Sequence, residues 1–295
     1  MSTDHHSAKG DDAAAVAAPS PPSAERPHPA GDSPASSPRL ARAARSLSFI
    51  AIYCLYLTFA VGLGQRVVVL PLITLFPRRR RAITRWWLGA HARGTLALAR
   101  ALSGVRLTIR GSIPSEPIVA VMNHQSLLDI PLGIALIPGP YPLIPTRDRY
   151  RQGIPGVSQL ARLARFPFVS QGRTARREEL VSLRRAAEQV AAGEQSLLIF
   201  PEGHRTRDGE ITDFMKPGLK LVLARARRPV YCIVADGMWR SRTFADAALR
   251  FAGSRIHGVI LGPFAAPSDA NELDAFIDEI RARMIGALHD LRRRH

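Results

Sequence analysis

The pattern of apolar and polar positions divides the chain into four stretches. Residues 1–38 are rich in Ala, Ser and Pro, and Pro19, Pro21, Pro22, Pro27, Pro29, Pro34 and Pro38 interrupt any helix the alanines could start. A disordered tail is expected there. Residues 47–64, LSFIAIYCLYLTFAVGLG, run for 18 positions without a charge; Gln65 and Arg66 follow, then the apolar VVVLPLITLF up to Phe76. From about residue 104, short β-rich runs alternate with helical spacing. Residues 105–111, 117–123, 196–201, 229–235 and 255–262 read as strands, several apolar throughout, as befits strands covered on both faces. Residues 175–192 and 218–227 read as helices by their 3.6-residue period. Residues 269–294 close the chain with an amphipathic helix that presents Leu273, Phe276, Ile277, Ile280, Met284 and Leu288, capped at Ser268 or Asp269.

Alternating strands and helices predict an α/β fold, with a mixed, largely parallel sheet flanked by helices. The expected organisation is a tail (1–38), a membrane-associated helical segment (39–84), an α/β domain (85–268) and a C-terminal helix packed on it (269–295). The uncharged run is at the threshold for one bilayer span of about 20 residues. Arg39, Arg42 and Arg45 precede it, and Arg78, Arg79, Arg80 and Arg81 follow. The positive-inside preference draws both ends to the cytoplasm. Arg66 at a turn, with Pro71 as a second break, makes a membrane-associated hairpin the favoured expectation; a single span and a buried apolar hairpin are the alternatives. Trp86 and Trp87 suit an interfacial anchor or ordinary packing.

Composition narrows the picture. The 295 residues are 46% hydrophobic, enough for a substantial core, so wholesale disorder is excluded. Cys54 and Cys232 are far apart and form no CxxC pair, so neither a disulfide framework nor a cysteine-based zinc site is expected. Lys and Arg number 41 against 24 Asp and Glu, a formal net charge of +17 that draws the chain to polyanions. Zinc-ligand spacing and aromatic-basic RNA motifs are lacking, and the apolar segment suits lipid, so a membrane surface is the expected partner rather than nucleic acid.

Two strand ends carry the candidate chemistry. The run 117–122 leads into Asn123, His124, Gln125, Ser126, Leu127, Leu128 and Asp129. Residues i and i+5 lie about 140° apart on an ideal helix, so His124 and Asp129 meet only if the histidine occupies the turn before the helix. A carboxylate on one imidazole nitrogen fixes the tautomer and raises the basicity of the other, which can then take a hydroxyl proton. The run 196–201 leads into Glu202, Gly203, His204, Arg205, Thr206 and Arg207. Gly203 permits a tight turn and Arg205 offers a planar fork for phosphate.

NHQSLLD and FPEGHRT together resemble the Asn-His-x4-Asp and Phe-Pro-Glu-Gly-Thr-Arg motifs of the 1-acylglycerol-3-phosphate acyltransferase family. The resemblance covers roughly residues 85–265 and implies a glycerol-3-phosphate acyltransferase-like fold. It also implies roles: His124 as general base on the acceptor hydroxyl, Asp129 orienting it, and Glu202, Gly203 and Arg205 shaping the acceptor site with Arg205 nearest the phosphate. Asn123 would support the turn. Direct activation requires no acyl-enzyme, which leaves Ser126 a turn or capping residue. The family's intermediate motif is altered here, around Phe168, Val169, Ser170 and Gln171, so Arg173 takes its place after a two-residue shift or Gln171 displaces it. Lys216, in a Lys-x-Gly step, is a further candidate for the phosphate or thioester carrier, or simply a lysine at a helix start. His204 stands where threonine is common.

The implied reaction moves a fatty acyl group from acyl-CoA or acyl carrier protein to the free hydroxyl of 1-acylglycerol-3-phosphate, giving phosphatidic acid at the cytoplasmic face of the cell membrane. Another lysolipid, such as lyso-ornithine lipid, is the alternative acceptor. No metal or other cofactor is implied; the acyl carrier is a co-substrate and membrane lipid the partner. A non-catalytic basic membrane-binding protein is the rival of another class, disfavoured by intact His124 and Asp129.

Overall fold

A computed structural model describes residues 37–170 and 177–294. Their centre is a six-stranded sheet of β1 (Arg106–Arg110), β2 (Val119–Met122), β3 (Pro142–Leu143), β6 (Ser196–Ile199), β7 (Val230–Asp236) and β8 (Arg255–Phe264), in the order β1-β8-β7-β2-β6-β3. Only the β7–β8 pair is antiparallel. A separate parallel pair joins β4 (Thr146–Arg147) to β5 (Phe168–Val169).

The central strands explain their own composition. Every residue of β2 and β6 is buried, and β7 is buried up to Asp236. Helices cover the faces: α4 (Asp129–Leu136), α5 (Val157–Leu163), α6 (Arg177–Ala191), α7 (Lys216–Ala226), α8 (Phe244–Arg250) and α9 (Leu273–Arg293). The apolar positions of α9 named above are all buried, with the helix packed on β7, β8 and α7. It begins at Leu273, so Ser268 and Asp269 do not cap it; Asp269 instead accepts from the Asn271 amide in the preceding turn.

Because β2 runs parallel to both β6 and β7, the C-terminal ends of all three emerge on one edge of the sheet. Ligands in open α/β sheets sit outside the carboxyl ends of strands, and here three such ends are adjacent.

The N-terminal apolar run departs from the hairpin expectation. The chain is helical from Ser37 to Leu75: α1 (Ser37–Leu55), two wide π-helical stretches (Tyr56–Leu63 and Gln65–Val69), then α2 (Leu70–Leu75). Gly64 is itself helical at φ −58° and ψ −37°, so no reversal occurs at Arg66. Arg66 points out of the helix and is exposed, and an arginine on an outer face needs no turn. Pro71 falls in the first turn of α2, where a missing amide is tolerated. The chain reverses later, at Phe76–Arg79, and α3 (Arg80–Ser103) returns against α1. The arginine groups at 39–45 and 78–81 therefore flank one long helix. The segment 38–75 is long and apolar enough to cross a membrane, yet only 22% of its most apolar window is buried, which removes the buried-hairpin alternative. One face docks on the domain, with Phe49 stacked on Phe251 at 4.8 Å between centroids. The other exposes Ile52, Leu55, Phe59, Leu63 and Val67. Trp87 is buried and Trp86 half-exposed, so only Trp86 is free to meet an interface. Both cysteines are free thiols, and burial pushes that of Cys232 up to about 12.

Candidate active site

The turn after β2 is built around the carboxylate of Asp129. This group is wholly buried, and its Oδ2 accepts from the Gln125 amide at 2.5 Å, the Ser126 amide at 2.7 Å and His124 Nδ1 at 2.8 Å. Three donors on one oxygen compensate the loss of water that burying a carboxylate entails. Asp129 begins α4, with the histidine in the turn before it, and that placement lets residues five apart meet. The other carboxylate oxygen, Oδ1, is buried and meets no donor among the described residues. His124 stacks on Phe200 at 4.3 Å and retains 15% side-chain exposure. Holding Nδ1 against Asp129 leaves Nε2 as the ring nitrogen available to a hydroxyl.

The turn after β6 clamps the first. Glu202 Oε1 accepts from the His124 amide at 2.8 Å, while Oε2 takes the amide and hydroxyl of Thr212, each at 3.0 Å. Burial pushes the Glu202 carboxyl up, and these bonds from Thr212 and His124 oppose the shift. Thr206 N donates to the His124 carbonyl at 2.8 Å, closing the link between the two turns. Gly203 has φ +69°, a left-handed conformation; a Cβ there would also stand 2.4 Å from Met215 Sδ.

Asn123 and Ser126 hold the turn's shape. Asn123 Nδ2 donates to the Ala235 carbonyl at 2.9 Å and its Oδ1 accepts from the Ala235 amide at 2.8 Å, locking the end of β2 to β7. Ser126 Oγ accepts from the Leu128 amide at 3.0 Å and lies 3.3 Å from Met238 Sδ, away from the imidazole.

Arg205 is half-buried and donates to the carbonyl of Arg242. Burial, followed by repulsion from Arg242 and Arg149, pulls against its charged form, to which Tyr150 and Asp129 contribute the opposite effect. Arg147 donates to the Gly203 carbonyl and is likewise opposed first by burial and then by Arg149 and Arg205. A guanidinium nonetheless stays protonated. Among the described residues no carboxylate forms an ion pair with Arg147, Arg149, Arg205 or Arg242. Guanidinium groups gathered around Arg205 without an ion-pair partner suit an anionic, phosphate-sized ligand.

The remaining candidates fall elsewhere. Lys216 begins α7 and pairs with Asp278 of α9 at 2.6 Å, so its ammonium is engaged by the C-terminal helix and the expectation of a phosphate contact is not met by this geometry. Arg173 lies outside the described residues. His204 and Arg207 are exposed. Sequence reading assigned no role in the site to Gln125, Arg147, Thr212, Asp236 or Arg242. Nothing local marks them: Arg147 reaches the site through a two-residue strand, and Gln125 through a fully buried amide. Among the described residues no group of three or more His, Cys, Asp or Glu is placed to hold a metal ion.

Residues 104–236 match the family model described as Acyltransferase, a stretch that contains both turns. The chain is 26% identical over 196 residues to 1-acyl-sn-glycerol-3-phosphate acyltransferase alpha of Ovis aries, covering 64% of this chain and 65% of that one. It is 35% identical over 177 residues to a lyso-ornithine lipid O-acyltransferase of Pseudomonas aeruginosa, covering 59% and 60%. The chain thus spans just under two thirds of the length of these relatives. In fold it is similar to the crystal structure of the 1-acyl-sn-glycerophosphate acyltransferase of Thermotoga maritima, with TM-score 0.64 and 21% identity, covering 85% of this chain and 97% of that one.

Proposed function

We propose that the chain, whose residues 104–236 match the Acyltransferase family model, transfers a fatty acyl group from an acyl thioester to the free hydroxyl of 1-acylglycerol-3-phosphate. The observation that carries this reading is the His124–Asp129 pair at 2.8 Å beside unneutralised arginines. With Nδ1 held by Asp129, His124 Nε2 takes the acceptor's hydroxyl proton as the oxygen attacks the thioester carbonyl. The C–S bond then breaks, an ester C–O bond has formed, and the departing thiolate recovers the proton from the imidazolium. Asp129 orients the ring and stabilises its charged form. Arg205, with Arg147 beside it, holds the acceptor phosphate. Acyl-CoA and acyl carrier protein both supply the required thioester.

The apolar helix 38–75 supports attachment to the cell membrane on the cytoplasmic face. One side is docked on the domain while the other is apolar and exposed, an arrangement suited to a helix lying in the interface rather than standing free in the bilayer. Acceptor and product are both lipids, so a base held near the headgroup plane meets its substrate there.

A lyso-ornithine acceptor is the second reading, favoured by the 35% identity to an enzyme of that name. The test is acyl transfer by purified, detergent-solubilised protein from oleoyl-CoA or oleoyl carrier protein to a panel of lysolipids. Turnover of lysophosphatidic acid, lost by about 10²-fold or more in His124→Ala and Asp129→Asn, is expected. Turnover of a phosphate-free lysolipid alone would keep the base and reassign the arginines; turnover by His124→Ala would remove the base.

A further inference from the structure

Gln125 follows the proposed base directly, and its side chain is fixed by three groups from two other segments. Its Nε2 donates to Asp236 Oδ1 at 2.9 Å and approaches the Gly209 carbonyl at 3.4 Å, while its Oε1 accepts from the Met238 amide at 3.1 Å. The residue is completely buried. Its backbone amide is one of the donors on Asp129 Oδ2, the same oxygen that holds His124 Nδ1. These side-chain bonds anchor the Gln125 backbone, so losing them frees the amide that aims the carboxylate to shift.

Asp236 is in turn held from the far end of the chain. Arg292, in the last turn of α9, donates from Nε to Asp236 Oδ2 at 3.1 Å and from NH2 to Asp236 Oδ1 at 3.3 Å and to the Gly209 carbonyl at 2.8 Å. Its remaining amino group meets Glu210, beyond which His289 lies 3.7 Å from the same carboxylate. The bidentate pair with Asp236 is the main reason the Arg292 guanidinium is held above its usual range. The guanidinium thus fastens both partners of the Gln125 amide at once.

We infer that Arg292 is a positioning residue for the His124–Asp129 pair, acting through Asp236 and Gln125. The C-terminal helix then does more than cover the sheet: its last turn sets the aim of the proposed base from 168 positions away in the chain. This rests on the acyl-transfer reading for its effect on rate, but the state of the His124 ring can be read without substrate.

The experiment uses the full chain in detergent with four variants: Arg292→Ala, Asp236→Asn, Gln125→Ala, and Arg293→Ala as the control. Arg293 pairs only with Asp290 on its own helix and removes the same charge. Expected for Arg292→Ala is a fall in kcat of about tenfold with KM little changed, since only the aim of the base is disturbed. The His124 Nδ1–H signal followed by NMR should move upfield and broaden as the bond to Asp129 Oδ2 weakens. Removal of a cation acting only through space would leave that bond in place, so the signal separates positioning from simple electrostatics. Arg292→Ala combined with Gln125→Ala should lose no more than the worse single variant, because both break one chain of contacts. Asp236→Asn keeps the side-chain shape and serves if Arg292→Ala does not fold. An unchanged kcat and His124 Nδ1–H signal in Arg292→Ala, or full additivity with Gln125→Ala, would overturn the inference. Absence of turnover in the unmodified protein counts against acyl transfer alone, with the His124 Nδ1–H signal still deciding the positioning role.

Discussion

Arg205 and Arg147 stand among cations that repel one another, and neither forms an ion pair with a carboxylate among the described residues. Such an arrangement is retained only when an anion relieves it, and the relief is strongest for a ligand bearing a phosphate. Arg205→Ala is accordingly expected to raise KM for lysophosphatidic acid by about tenfold while kcat changes much less, because the contact is made in ground and transition states alike. Steady-state kinetics with a phosphate-bearing and a phosphate-free lysolipid measures this; an equal rise for both would move the phosphate contact to Arg147 or Arg242. Both candidate turns could be located from residue types alone, since NHQSLLD and FPEGHRT place a histidine, a carboxylate and an arginine at strand ends. The arginines around Arg205 could not, as Arg147 and Arg149 on one segment and Arg242 on another are gathered only in the folded chain.

At the scale of elements, the helical pair α1–α3 contains an untypical histidine. His91 on α3 meets Tyr56 Oη at 2.6 Å through Nδ1, lies edge-on to Trp87 at 4.0 Å, and its Nε2 is buried without a partner among the described residues. Burial lowers its pKa to about 4 from an ordinary value near 6.5. The folded state therefore keeps His91 neutral, whereas the unfolded chain takes up a proton below pH 6.5. Its contribution to stability is present above that value and is lost as pH falls toward 4. Thermal melts of wild type and His91→Phe between pH 7 and pH 4.5 should show a smaller drop for the variant, by a few degrees on the order expected for one group. Parallel curves would mean that His91 is solvated in the folded state. The apolar run 47–64 announced a lipid-facing helix by its composition, but not its course. Arg66 and Pro71, read as a turn and a break, lie instead within a continuous helix, and the reversal falls at Phe76–Arg79.

For the whole molecule, a net charge of +17 and an apolar helix exposed along one side would serve the proposed membrane attachment in two separable ways. The charge acts over about 10 Å at 0.1 M salt and is screened above that; the apolar contact is not. Flotation with vesicles containing anionic lipid should weaken as salt is raised from about 0.05 to about 0.5 M, yet leave a salt-resistant fraction held by the helix. Complete release would assign attachment to charge alone, and no salt effect would assign it to the helix alone.

The sequence by itself determined the α/β class, the two chemical turns and the helix that shields the sheet, because each rests on a local pattern: apolar runs of strand length, a 3.6-residue period, and polar residues packed at the end of an apolar stretch. It could not determine that β2, β6 and β7 lie side by side in parallel, since strand order depends on which apolar faces bury one another. That adjacency brings Glu202 to the His124 amide and Asn123 to Ala235. Nor could it determine that Lys216 pairs with Asp278 while Arg292 reaches Asp236. Charged side chains choose partners by proximity across elements, and proximity between distant segments is decided only when the core closes.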